Sequence, residues 1–257
     1  MKKYCLLAAI CLLGLHFAAF SQAKTWRIGA KGGFTIPNLE AIGEPDGTLS
    51  SGYSSIRGTF AGIKVQYQFT SRLGIITEFN YAELGGKKEG DQKIKTTGLG
   101  SLFPLPPGVP LPTYVYAQFN NYVNLNYLEL PVMLQYHLWW NKKWRLTAYG
   151  GLFAGHMLQG KNIAEGRSKI YYDAAYTQPV INNDIIFDSN TDLKNDLNSF
   201  NWGLQGGGSL SYSFLPNWEV EFSGGGSYGL QRLQKDATFG NNRTGALMLT
   251  LGVQYKW

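Results

Sequence analysis

From Trp26 onward, apolar or small residues fall at every second position: Trp26, Ile28, Ala30, Gly32, Phe34 and Ile36, with Arg27, Gly29, Lys31, Gly33 and Thr35 between them. A period of two belongs to an extended strand whose two faces meet different surroundings. The alternation returns with Ile63 and Val65 against Lys64 and Gln66, with Ile75 and Phe79 against Glu78 and Asn80, and with Leu130, Val132 and Leu134 against Glu129, Met133 and Gln135. It returns again with Leu146 and Leu152 against Arg145 and Thr147, with Leu204 and Leu210 against Gln205 and Ser209, with Val220 and Phe222 against Glu219 and Glu221, and with Leu249, Leu251 and Val253 against Thr250 and Gln254. The pattern predicts eight strands of roughly 10 to 13 residues, longer than the ~5 to 6 usual in globular sheets and right for a tilted bilayer crossing.

The connections sort by length. Those at 70–72, 139–143 and 215–217 are short; those at 37–57, 85–121, 156–199 and 231–243 are long, and the two kinds alternate along the chain. All strands then run antiparallel with every long connection at one end. This is the organisation of an all-β, eight-stranded antiparallel transmembrane β-barrel with long external loops and short periplasmic turns. Aromatic residues on the apolar face gather near both ends: Tyr67, Phe69, Tyr136, Trp144, Tyr212, Phe214, Trp218, Tyr255 and Trp257 by the short turns, Phe34, Phe79, Tyr81 and Tyr228 by the long loops. Amphipathic rings favour the headgroup depth, so two girdles are expected. A soluble barrel with its apolar face inward would need a charge-rich outer face, whereas the polar face here is mostly Gly, Ser, Thr, Asn and Gln.

Composition agrees: 16% of residues are charged, below the ~25% of a soluble domain. Residues 1–21 read as a signal peptide, with Lys2 and Lys3 before an uncharged, mostly apolar run and small residues Ala19 and Ser21 at its end. Cleavage falls after Ser21 or Ala23, and residues 22–257 form a single barrel domain delivered to the outer membrane. Both cysteines, Cys5 and Cys11, go with the signal. So do two of the 23 basic residues, which against 17 acidic ones leaves the formal charge of +6 at +4. That excess is scattered, with no basic cluster for nucleic acid.

Eight strands enclose an interior only wide enough for side chains. Arg27, Lys31, Lys64, Glu78, Glu129, Arg145, Glu219 and Glu221, with Lys256, share the inward parity, so a buried charge network is expected in place of a channel. Two glycine triplets, 206–208 and 224–226, lie mid-strand and equidistant from the short turn near Pro216. They predict a side-chain-free patch that bends the wall or admits a bulky residue such as Tyr149. Thr250, Gly252, Tyr255 and Trp257 match a polar-x-Gly-x-x-aromatic-x-aromatic assembly signal, which the barrel-insertion machinery would capture by strand addition.

Other candidates carry less. Asp188, Asn190 and Asp192 have calcium-loop spacing, but Leu193 and Ser199 stand where Gly and Glu are required, so an acidic solvated loop is the better reading. His156 sits beside the third long loop without a defined nucleophile, leaving a rim enzyme as an alternative; no enzyme, metal or cofactor is expected. The proline-rich run at 102–112 predicts an extended polyproline segment, either a docking surface or a stiff spacer.

The chain resembles the PorT-like outer-membrane β-barrel family of Bacteroidota. The resemblance rests on Ile28 to Phe34 (IGAKGGF), Tyr127 to Pro131 (YLELP), Asp196 to Gly203 (DLNSFNWG) and the aromatic end, and spans the chain after the signal. It implies an outer-membrane barrel whose named member is a component of a protein secretion system. The expected function is a binding or assembly module acting through external loops on an unidentified external or protein partner, with outer-membrane lipid as the barrel's other partner.

Overall fold

A computed structural model of the protein describes residues 24–41, 52–96, 112–236 and 240–257. The signal segment and most of the proline-rich run lie outside the described residues. The described chain is built of β1 (Thr25–Ala41), β2 (Gly58–Gln68), β3 (Leu73–Lys88), β4 (Asp91–Lys95), β5 (Tyr114–Gln118), β6 (Asn120–Trp140), β7 (Trp144–Glu165), β8 (Arg167–Tyr171), β9 (Pro179–Ile186), β10 (Ser189–Asp192), β11 (Phe200–Leu215), β12 (Trp218–Gly229) and β13 (Asn242–Lys256).

Eight of these close an antiparallel barrel in the order β1-β2-β3-β6-β7-β11-β12-β13, with β13 returning to β1. Closure sets Ile28 opposite Tyr255. Trp26 and Trp257 extend it by exchanging backbone bonds of 3.3 and 3.1 Å. The alternation explains the wall. Leu130, Val132, Leu134, Phe222 and Leu251 face outward and are 47–59% exposed, whereas Gln135, Glu129, Ser223 and Thr250, one position away, are buried inside. Around the short turns the outward rings meet in pairs, Trp26 with Tyr67 and Trp144 with Tyr212 at 4.6 Å, and Trp218 with Tyr255 at 5.2 Å.

The strands depart from expectation in length. β6 and β7 have 21 and 22 residues, and at ~3.3 Å per residue they run about 70 Å, well past a ~30 Å hydrocarbon layer even when tilted. The excess at the long-loop end carries a second, four-stranded sheet of order β4-β5-β8-β9, drawn from the second and third long connections. These regions were expected as loops. Within Tyr114–Gln118, Val115 and Ala117 turn inward between two tyrosines, a strand pattern too short to stand out. Gly90 and Gly166, at φ +77° and +141°, stand where β3 and β7 hand over to this sheet, backbone angles that favour glycine. The sheet has its own core of Val115, Ala117 and Ile170, with Phe119 and Phe187 stacked at 4.4 Å beside it.

Candidate functional site

The lumen divides along its axis. Toward the short turns it is polar. The Arg145 guanidinium donates to both Glu219 carboxylate oxygens at 2.9 and 2.6 Å and to Ser211 Oγ at 3.3 Å. Arg27 Nε lies 3.3 Å from the same Glu219. Gln254 donates to Glu219 at 2.8 Å and Ser211 to Glu221 at 3.2 Å, which ties this group to the Lys64–Glu221 ion pair. Beyond it, Lys31 and Asn80 both donate to Glu78, at 2.7 and 2.9 Å. Thus seven of the nine inward charges meet an opposite charge within 4 Å.

Glu129 does not. It is 2% exposed, and its Oε1 has no partner among the described residues. Its strand position accounts for this: Glu129 stands opposite Asn80 on β3 and Gly155 on β7, neither of them a cation. Two residues on, Pro131 has no N–H to donate, and the β3–β6 ladder breaks between the Thr77–Val132 and Asn80–Glu129 pairs.

Toward the long loops the inward face turns apolar. Phe60, Leu84, Val123, Leu125, Tyr127, Met157 and Met248 form one cluster, closed from above by Leu197 and Leu233 of the third and fourth long connections. Sequence reasoning missed this cluster. The signal was a change of chemistry at constant parity: Val123, Leu125 and Tyr127 are in phase with Glu129, and Met248 is in phase with Thr250. Above lies a cavity of about 340 Å³ walled by Leu39, Val123, Leu193 and Leu233 and by Tyr53, Asn121 and Asn162. Asn121 donates to Tyr53 Oη at 3.4 Å. Burial pushes the Tyr53 phenol above its ordinary range, against a smaller opposing effect of that bond.

The glycine triplets face each other, Gly206 to Gly226, Gly207 to Gly225 and Gly208 to Gly224. A Cβ on Gly207 would stand 2.3 Å from the Gly224 carbonyl oxygen and 2.9 Å from the Tyr149 hydroxyl, so the patch admits the tyrosine. On β13, Thr250 points inward and bonds Ser223 at 2.6 Å. Gly252 lets β1 approach, since a Cβ there would lie 2.8 Å from the Ala30 carbonyl. Tyr255 and Trp257 belong to the outward parity, their ring centroids 6.2 Å apart.

Two alternatives find different surroundings from those expected. His156 is on the outward face of β7, nine residues below the strand's end, because the wall continues where a loop was expected. Ser189–Asp192 is strand β10, paired with 161–164 of β7; an extended chain spaces Asn190 and Asp192 about 6–7 Å apart along one face, where a calcium loop must curl its oxygens around one point. No group of three metal-ligating side chains occurs among the described residues.

Residues 20–234 match a protein-family model described as outer membrane protein beta-barrel domain. No curated protein matches the sequence. Solved structures similar to this chain include the N-terminal β-barrel domain of OprF from Pseudomonas aeruginosa, 15% identical over 92% of this chain and 100% of its own, with a TM-score of 0.39. Ail, the attachment invasion locus protein of Yersinia pestis, is 14% identical over 91% and 99%, with a TM-score of 0.38. The outer membrane protease OmpT of Escherichia coli is 9% identical over 93% and 98%, with a TM-score of 0.43.

Proposed function

The chain belongs to the outer membrane protein beta-barrel domain family, and from that premise we propose that it is a closed barrel serving as a binding module, which displays its outer sheet to a partner outside the cell. The observation that carries this reading is the outer sheet's own apolar core, formed by Val115, Ala117 and Ile170 away from the barrel lumen. A chain that only crossed the membrane would not need strands of 21 and 22 residues to hold such a sheet aloft. The lumen below is filled by ion pairs and then by apolar side chains, which favours anchoring over conduction. β9 is an edge of the outer sheet. Edges present unpaired backbone groups on which a partner strand can be added.

Delivery follows from the remaining features. Residues 1–21 act as a cleaved signal peptide, and Thr250, Gly252, Tyr255 and Trp257 present the β13 end to the insertion machinery. Within the family, the IGAKGGF, YLELP and DLNSFNWG segments support a place among PorT-like barrels. A photo-crosslinking residue at Asn183, on the exposed β9 edge, tests the binding role in whole cells. A discrete adduct is expected, and it should vanish when Val115→Asp breaks the outer sheet's core while Asn183 stays in the chain. Absence of any adduct from Asn183 and from Lys93 on the opposite edge would remove the role.

A further inference from the structure

At the short-turn end, opposite the outer sheet, a second cavity of about 260 Å³ opens toward the periplasm. Five cations reach it: Arg27, Lys142, Lys143, Arg145 and Lys256. Among the described residues only one carboxylate does, Glu219, which leaves a formal excess of +4 at its wall.

The single carboxylate is already engaged. Both Glu219 oxygens accept from Arg145, at 2.9 and 2.6 Å. Arg27 comes within 3.3 Å of one of them, but its Nε and Nη1 have no hydrogen-bond partner among the described residues. Arg27 is 7% exposed and Arg145 9%. Two buried guanidiniums therefore share one carboxylate, and an uncompensated buried charge is costly unless a counter-ion reaches it. Glu129, whose Oε1 has no hydrogen-bond partner among the described residues, offers no relief, because it faces Asn80 and Gly155 in the middle of the barrel. The 142–143 turn is held in place, with Asn141 Oδ1 accepting from the amides of Lys143 and Trp144 at 2.9 and 2.8 Å. Both lysines are thereby kept at the cavity mouth.

We propose that this periplasmic cavity is an anion site that takes a phosphate group, with Arg27 supplying the inner donors and Lys142, Lys143 and Lys256 the rim charge. A phosphate carries up to two charges and several acceptor oxygens, which suits a cluster of planar and point cations better than a chloride does. At about 30 Å³ per water the cavity holds about nine water volumes, room for a phosphate group and a short stem. Its source is either free phosphate or the headgroup of an anionic phospholipid. The site lies at the opposite end from the proposed partner surface and stands or falls apart from it.

The test is calorimetric titration of the protein in maltoside detergent with inorganic phosphate. Saturable binding is expected, falling as sodium chloride rises because the rim charges are screened. Arg27→Gln should weaken binding about tenfold or more, the usual effect of losing a charge-assisted donor. Lys143→Gln should weaken it about two- to threefold, as for an exposed charge. Heat-modifiable migration checks that each variant is folded; if Arg27→Gln is not, Lys142→Gln combined with Lys256→Gln takes its place, with about fivefold expected. Adding phosphatidylglycerol to the micelles separates the sources: competition with inorganic phosphate identifies a lipid headgroup, no competition free phosphate. No saturable binding by the wild-type protein, or unchanged binding in the folded variants, overturns the proposal.

Discussion

The two halves of the lumen are lined by the same strands at the same parity, yet they are filled by opposite chemistries. Toward the periplasm, Arg145, Glu219, Lys64 and Glu221 join across the barrel through contacts of fixed geometry. Toward the outside, Leu125, Tyr127 and Met157 pack without direction, and Leu197 and Leu233 descend from the loops to complete them. The inner half is thus complete within the barrel wall, whereas the outer half needs the loops to be folded. Charge ties strands across the barrel; apolar burial couples the outer loops to them.

This contrast can be broken at either end. The largest effect is expected from Glu219→Ala, which strands two buried guanidiniums and should cost about 3–5 kcal/mol; urea unfolding of protein refolded into vesicles measures it. A cost below about 1 kcal/mol would mean that the inner half is not held by charge. Leu197→Ala should cost about 2–3 kcal/mol, in the lower part of the range for large-to-small substitutions, because a loop residue leaves neighbours free to relax. It should also speed proteolysis within 187–199 while the barrel stays heat-modifiable; unchanged proteolysis would uncouple loop from lumen.

Gly207→Ala sharpens the inner boundary. Its Cβ meets a carbonyl oxygen at 2.3 Å as well as the Tyr149 hydroxyl, so a loss of about 1–3 kcal/mol is expected from overpacking. Tyr149→Phe in the same chain should recover only part of it, and full recovery would show that the backbone contact is harmless. Phe119→Ala, which removes a ring stacked at 4.4 Å on Phe187, should loosen the outer sheet by about 0.5–1.5 kcal/mol beyond lost burial. Hydrogen exchange should rise in 114–118 and 179–186 and stay unchanged in β11 to β13. Smallest of all, Lys87→Ala breaks an exposed 2.9 Å pair with Glu89 and should change stability by less than about 1 kcal/mol.

Legibility in the sequence followed the membrane. Where a strand has lipid on one side and a polar lumen on the other, as at Leu130 to Leu134 or Leu249 to Val253, alternation is strict and the wall can be read directly. Where the lumen turns apolar, both faces carry the same chemistry and the period of two fades, which is why Phe60, Leu125 and Met157 went unrecognised as a core. The outer sheet was hidden for another reason: its strands are short, and one of its hairpins spans the proline-rich run. Inward charges could be picked out by parity, but not their partners, because cross-barrel pairs such as Lys64 with Glu221 depend on closure and stagger. Parity alone likewise gave no sign that Glu129 would face an asparagine and a glycine.

The lumen is shut twice, once by ion pairs and once by apolar packing, and planar-bilayer recording of the purified protein tests that closure most directly. No stable conductance above a small leak is predicted at any modest voltage. Large, steady, ion-selective steps from the wild-type protein would contradict it.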